Sequence, residues 1–282
     1  MIAWVTGASS GLGFHIALAL REAGHTVIAG ARSFTDEDVV GIRHLPLDVT
    51  DQGSVDAFAE AALRYADGVD AVIHCAGILT PGSCEETTPE EYAHVLDTDF
   101  LGVVRVNRAA LPRMRQAGRG RIVLLSSING VMGIPFQSAY TAAKHAMEGY
   151  AECLQQEVRA FGIQVCLVEP GDHRGGAARY RRPAEAMDAD SPYAERYQSA
   201  VAVIDHDEQH GSDPVALGRK VAALLVRRRM PARRIIASPS QRLVAWLHRV
   251  VPQRAMNRVL CAYYFRRARR RKGDAAGAGA EK

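Results

Sequence analysis

Seven short, mostly β-branched apolar runs alternate with amphipathic stretches along the first 237 residues, and that rhythm leaves few architectures open. The strand candidates are Ile2–Thr6, Thr26–Ala29, His44–Leu47, Ala71–His74, Arg121–Ser126, Gln164–Val168 and Arg234–Ala237. Continuous apolar runs of this kind suit strands covered on both faces. Between them, helical patterns are predicted over Gly11–Ala23, Ser54–Tyr65, Pro89–Met114, Ala139–Ala160 and Pro214–Arg228. Strand, helix, strand in repetition needs right-handed crossovers, hence an α/β fold with a doubly wound parallel sheet of seven strands between two helical layers. With 282 residues, 48% apolar and 23% charged, the chain can bury one large core. A disordered or disulfide-stapled chain is excluded, and no apolar run has the ~18 residues of a bilayer-spanning helix.

The first strand runs into Thr6-Gly-Ala-Ser-Ser-Gly-Leu-Gly13. A glycine-rich turn opening a helix lets backbone approach a pyrophosphate, and the helix N-terminus adds N–H groups and a positive dipole end. The loop residues Gly7, Ser9, Ser10, Gly11, Leu12 and Gly13 are therefore the expected dinucleotide cradle. An acid after the second strand would bind the adenosine ribose hydroxyls. Here that place is Ala31, and Arg32 follows. A small neutral residue beside a guanidinium suits a 2′-phosphate. NADP(H) is expected over NAD(H), which stays open, as does a plain solvated role for Arg32.

Ser127 closes the fifth strand, and Tyr140-Thr-Ala-Ala-Lys144 opens the next helix. Residues four apart share a helix face, so phenol and ammonium point into one space. A neighbouring Lys favours phenolate, lowering the Tyr pKa and making Tyr140 a usable acid or base.

The glycine loop, His74-Cys-Ala-Gly77, Ser127, Tyr140-x-x-x-Lys144 and Pro170-Gly171 occur in an order and spacing that resembles the short-chain dehydrogenase/reductase family, with its Rossmann-type fold, over residues 1–237. The resemblance implies that Tyr140 passes a proton to a substrate carbonyl, Lys144 holds the nicotinamide ribose and tunes Tyr140, and Ser127 binds the substrate oxygen. It also implies that Asp48 and Val49 meet the adenine, Ala76 and Gly77 line the cleft, Pro170 and Gly171 lie against the nicotinamide, and the His173 backbone meets its carboxamide. Three departures stand out. Asp99, in Asp99-Phe-Leu-Gly102, occupies the place of the family's fourth catalytic residue, an Asn; slower or pH-shifted activity is expected. His74 replaces an Asn and is read as a core residue. Gly175 replaces a Thr, so 170–176 is expected to be loose.

Residues 171–213 form a long polar connection, expected as a substrate lid, with Tyr180, Met187, Tyr193 and Tyr197 among its charges. Charge is divided sharply. Residues 1–218 carry 17 Lys/Arg against 29 Asp/Glu, and residues 219–282 carry 18 against 2, with no acid between Arg219 and Lys272. Residues 238–272 read as a basic helical tail in two short helices, with Leu243, Trp246, Leu247, Val250, Val251, Met256, Val259, Leu260 and Tyr263 at helical spacing. It either packs on the protein or contacts an anionic membrane peripherally; no recognition motif points to nucleic acid. Residues 273–282 read as a disordered terminus. The five widely spaced cysteines are read as buried thiols of a cytoplasmic protein, with no metal cluster. The opening MIAWVTGASSGLG lacks a basic n-region, so no secretory signal is expected.

The tail resembles that of hydroxysteroid, retinol and 3-keto sphingoid base enzymes of the family. The reading is thus an NADPH-dependent carbonyl reductase of a lipophilic ketone or its alcohol, working as a homo-oligomer, dimer or tetramer. The alternatives are NAD(P)-dependent oxidation of a steroid or retinoid-like alcohol, and a non-catalytic dinucleotide-sensing scaffold.

Overall fold

The computed structural model describes residues 1–34, 40–175 and 181–277, with side chains as far as residue 265. Tyr180, the arginine-rich run 266–272 in its side chains and residues 278–282 of the expected terminus lie outside this description.

Seven parallel strands, β1 (Ile2–Thr6), β2 (Thr26–Ala31), β3 (Ile42–Pro46), β4 (Ala71–His74), β5 (Gly120–Leu125), β6 (Ile163–Pro170) and β7 (Arg233–Ile236), form one sheet in the order β3-β2-β1-β4-β5-β6-β7. The expected doubly wound sheet is what forms. Alternate residues of each strand enter opposite cores. Trp4, Ile28, Val72, Ile122 and Leu167 pack under helices α2 (Gln52–Tyr65), α4 (Gly102–Ala117) and α5 (Ser138–Val158). Ala3, Val27, Ile73, Val123 and Val168 pack on the other face, under α1 (Gly11–Glu22) and α7 (Pro214–Leu225). The strand order reverses at β1, which pairs with both β2 and β4, and a cleft opens there beyond the strand ends.

The helix expected over Pro89–Met114 is in fact α3 (Pro89–Leu96), a π-helical turn over Asp97–Leu101, and α4. The connection 171–213 holds a helix, α6 (Ala194–Gln209), that its polar sequence concealed: only Ala200, Val203 and Ile204 are buried in it. After β7 come α8 (Pro239–Val250), started by a Ser238–Gln241 capping box, and α9 (Gln253–Gly277). Both pack back on the body. Val244, Leu260, Tyr264 and Phe265 join Ile128, Met132, Ile134 and Ile204 in a third apolar cluster. Several residues singled out as the tail's apolar pattern face the other way, since Leu243, Trp246 and Val250 are exposed. Met256 and Leu260 do pack inward as expected, joined by Val244, Ala245 and Tyr264, which the pattern did not single out.

No described helix is long and apolar enough to cross a membrane. All five cysteines are free. Only Cys166 is fully buried; Cys84, Cys153 and Cys261 are exposed, against the expectation of buried thiols.

Candidate active site

Every residue nominated for catalysis or cofactor binding lines one cleft of ≈ 690 Å³, whereas Met187, Tyr193 and Tyr197 of the expected lid do not line it. The glycine loop forms its floor beside β4. Gly7 has φ +64°, and a Cβ there would come within 2.6 Å of the Ala76 backbone. A Cβ on Gly13 would lie 2.3 Å from the Gly7 carbonyl oxygen. The loop therefore folds tightly enough to leave the space above the α1 N-terminus open, which fits a pyrophosphate. Ala31 and Arg32 close the cleft at the end of β2, with Asp48 and Val49 beside them. Asp48 accepts hydrogen bonds at Oδ1 from the Thr50 backbone N–H (2.9 Å) and hydroxyl (2.7 Å), which hold its pKa below the usual range.

At the other end, Ser127 caps a short turn after β5. Its Oγ accepts from Asn129 N–H and donates to Asn129 Oδ1, both at 3.2 Å. The Asn129 amide in turn donates to Gln137 Oε1 (2.9 Å) and Thr141 Oγ1 (3.2 Å). Asn129 thus ties the Ser127 turn to the start of α5, which carries Tyr140 and Lys144. Sequence reasoning missed this positioning residue, because its partners are neighbours only in space.

The Lys144 ammonium lies 5.2 Å from the centre of the Tyr140 ring, donates to the Leu125 carbonyl at 3.2 Å and pairs with Asp99 Oδ2 at 3.2 Å. Asp99 Oδ1 accepts from the Ile78 backbone N–H at 2.7 Å. Burial pushes the Asp99 carboxyl up, against the pull of Lys144. Tyr140 is also pushed above its usual value by burial, with Lys144 pulling down, Asp99 pushing up and a hydrogen bond with Ser127 pulling down. The expected lowering by Lys144 is present but is outweighed, because the phenol is desolvated and a second charge, Asp99, stands behind the lysine.

His74 does not reach the cleft. It is buried, its Nε2 lies 2.9 Å from Asn107 Oδ1, and burial holds its pKa at about 4. The start of the connection is pinned rather than loose. A Cβ on Gly171 would strike Gln241, whose amide donates to Asp172, and His173 bridges to Ser212. Gly175 has a φ of +67° and open space around it, and residue 176 of the stretch expected to be loose lies outside the described residues.

The lining of the substrate end is mixed. Ile128, Met132, Ile134, Val244, Leu260 and Tyr264 give it apolar surface. Asp172, Asp207 and Glu208 add carboxylates, with Asp172 and Asp207 acting on Tyr264. Burial, with Asp207 and Glu208 nearby, pushes Asp172 up to about 6. Tyr263 donates to Asp207 at 2.6 Å, and Arg181 pairs with Asp205 and, at 2.6 Å, with Glu208.

The arrangement has counterparts among known proteins. A family model described as short chain dehydrogenase matches residues 1–186. A 3-ketodihydrosphingosine reductase of Bacteroides thetaiotaomicron is 37% identical over 260 residues, covering 92% of this chain and 96% of that protein. Dehydrogenase/reductase SDR family member 7B of Bos taurus is 29% identical, over 88% of this chain and 77% of its own. The crystal structure of a short-chain dehydrogenase from Streptomyces avermitilis superposes with a TM-score of 0.78 at 30% identity, covering 100% of this chain and 99% of that one.

Proposed function

The chain belongs to the short-chain dehydrogenase/reductase family, NAD(P)-dependent oxidoreductases acting on CH–OH groups, and on that premise we propose that it reduces a lipophilic ketone with NADPH. One observation carries the reading: the glycine cradle, Ser127, Tyr140 and Lys144 share a single cleft that is also lined by the apolar cluster around Met132, Val244 and Leu260. A bound nicotinamide supplies the hydride. Gly7 to Gly13 would hold the pyrophosphate, Asp48 and Val49 the adenine, and Arg32 the 2′-phosphate that favours NADP(H). Ala76, Gly77, Pro170, Gly171 and His173 would hold the nicotinamide end. Ser127 donates to the substrate oxygen as negative charge gathers there. Tyr140 delivers the proton, and Lys144 holds the ribose and offsets the phenolate that remains.

Among lipophilic ketones, a long-chain amino ketone of the sphingoid type suits this mixed apolar and acidic lining better than a steroid. Its chain would lie along Met132, Val244 and Leu260. Its ammonium would meet Asp172, Asp207 and Glu208, and the Glu208 charge is felt at the Tyr140 phenol. The reading includes a cytoplasmic homo-oligomer.

The test is NADPH and NADH consumption with a 3-keto sphingoid base, a steroid ketone and an aromatic ketone. Tyr140→Phe is expected to lower kcat by about 10²–10⁴-fold while dinucleotide binding persists. Equal rates for both proteins would leave the scaffold reading instead.

A further inference from the structure

We propose that the outer face of α8, continued by the exposed edge of α9, docks on the surface of an anionic phospholipid bilayer and turns the mouth of the cleft toward the lipid. The docking face is independent of the chemistry above; only its use, delivery of an apolar substrate, rests on that reading.

Leu243, Trp246 and Val250 lie three and four residues apart on one side of α8 and are 55%, 57% and 60% exposed. Arg242 and Arg249 are exposed beside them. The opposite side of the helix already satisfies the protein, with Ala245 buried and Val244 in the third apolar cluster. The outward apolar residues are therefore surplus to folding. A Trp and aliphatic side chains set among arginines are the composition that settles at the headgroup level of a bilayer.

The same helices reach the cleft. Val259 and Tyr263 of α9 line it and are still 57% and 52% exposed, which puts them at its rim. Val259 and Tyr263 thus put exposed α9 side chains at the opening that an apolar substrate would use, and Val244 of α8 lines the same cleft.

Charge selects the occupant. Arg234 and Arg242 border the shallow groove that Leu243 and Trp246 share with Ile235. Among the described residues Arg234, Arg242, Arg254 and Arg258 form no ion pair with a carboxylate, while the Arg249 charge is felt by the buried Glu169, and the sequence offers no acid from Arg219 to Lys272. A two-fold contact centred on this patch would set arginine against arginine. A sheet of phosphate headgroups complements it.

The experiment uses the full chain with vesicles of phosphatidylcholine, with and without phosphatidylglycerol. Trp4 is fully buried and Trp246 exposed, so a blue shift of tryptophan emission on binding reports Trp246. Flotation with the phosphatidylglycerol vesicles, the blue shift and their loss at high salt are expected. The double variant Leu243→Ser/Trp246→Ser and the double variant Arg234→Glu/Arg242→Glu should each weaken flotation about tenfold or more, while both reduce a short water-soluble ketone as the wild type does. Failure to float, or flotation that both variants retain, overturns the proposal. So does a dimer that Leu243→Ser/Trp246→Ser converts to monomer. Loss of all reductase activity in the wild type would count against the chemistry and leave flotation to decide the docking.

Discussion

Lys144 Nζ stands 3.2 Å from Asp99 Oδ2, and the two side chains are 5% and 0% exposed. The pair is placed by the π-helical turn at Asp97–Leu101, whose extra residue swings Asp99 inward to the Ile78 N–H. Of the two charges behind Tyr140, Lys144 favours the phenolate and Asp99 opposes it. Asp99→Asn keeps an acceptor for Ile78 and removes the opposing charge. The pH profile for alcohol oxidation should therefore move to lower pH, and turnover near neutrality should rise roughly two- to tenfold. Rate profiles of the two proteins check this, and superimposable profiles would refute it. Asp99→Ala, which strands Lys144, should cost about 3–5 kcal/mol of stability.

The cofactor preference can be tested at the end of β2. Ala31 is 7% exposed and lines the cleft where an acid would meet the ribose hydroxyls. Ala31→Asp should raise KM for NADPH about tenfold or more, by repelling the 2′-phosphate, and lower it for NADH. Arg32→Ala should weaken NADPH alone. An unchanged NADPH/NADH ratio in both would remove Arg32 from the phosphate site.

Much of this was legible in the sequence for a local reason. Strand runs such as Ile2–Thr6 and Ala71–His74 carry their burial in their own composition, and the glycine loop and Tyr140–Lys144 are short-range patterns. What escaped was set by contacts distant in sequence. The π turn needs one residue more than a 3.6 period and leaves no compositional mark. Asn129 matters through Gln137 and Thr141, which it meets only once α5 is docked. In α8 and α9 arginines interrupt the apolar pattern on both sides, so the side that closes the cleft was not distinguishable from the side that faces out.

Backbone crowding in the cradle gives a paired prediction. Gly13→Ala places a methyl 2.3 Å from the Gly7 carbonyl and 3.0 Å from Cys75, so the loop must shift. Dinucleotide Kd should rise more than about tenfold, with about 1–3 kcal/mol of stability lost. Gly149→Ala, inside α5 with nothing within 4 Å of the new methyl, should instead stabilise by about 0.5–1 kcal/mol and leave Kd alone. Dinucleotide titration and thermal melts read both, and equal Kd values would dissociate the loop from the phosphate.

Beneath the Ser127 turn, Arg233 joins Glu148 at 2.7 Å, Glu152 at 3.1 Å and Glu169. Glu148 and Glu169 are buried, so one guanidinium serves two desolvated carboxyls. Burial, reinforced by the Glu169 charge, pushes Glu148 up to about 7 from 4.5. Between those values the folded chain holds a proton that the unfolded chain has released, so stability falls as pH rises through the interval, by up to about 3 kcal/mol. Glu148→Gln removes the titrating group and leaves Glu169 to pair with Arg233. Its Tm should be flatter with pH and should exceed that of the wild type at about pH 8, where the wild type carries both charges. Melts in which the two proteins keep a constant difference from acid to neutral pH would mean that Glu148 is ionised throughout and that Arg233 fully compensates it.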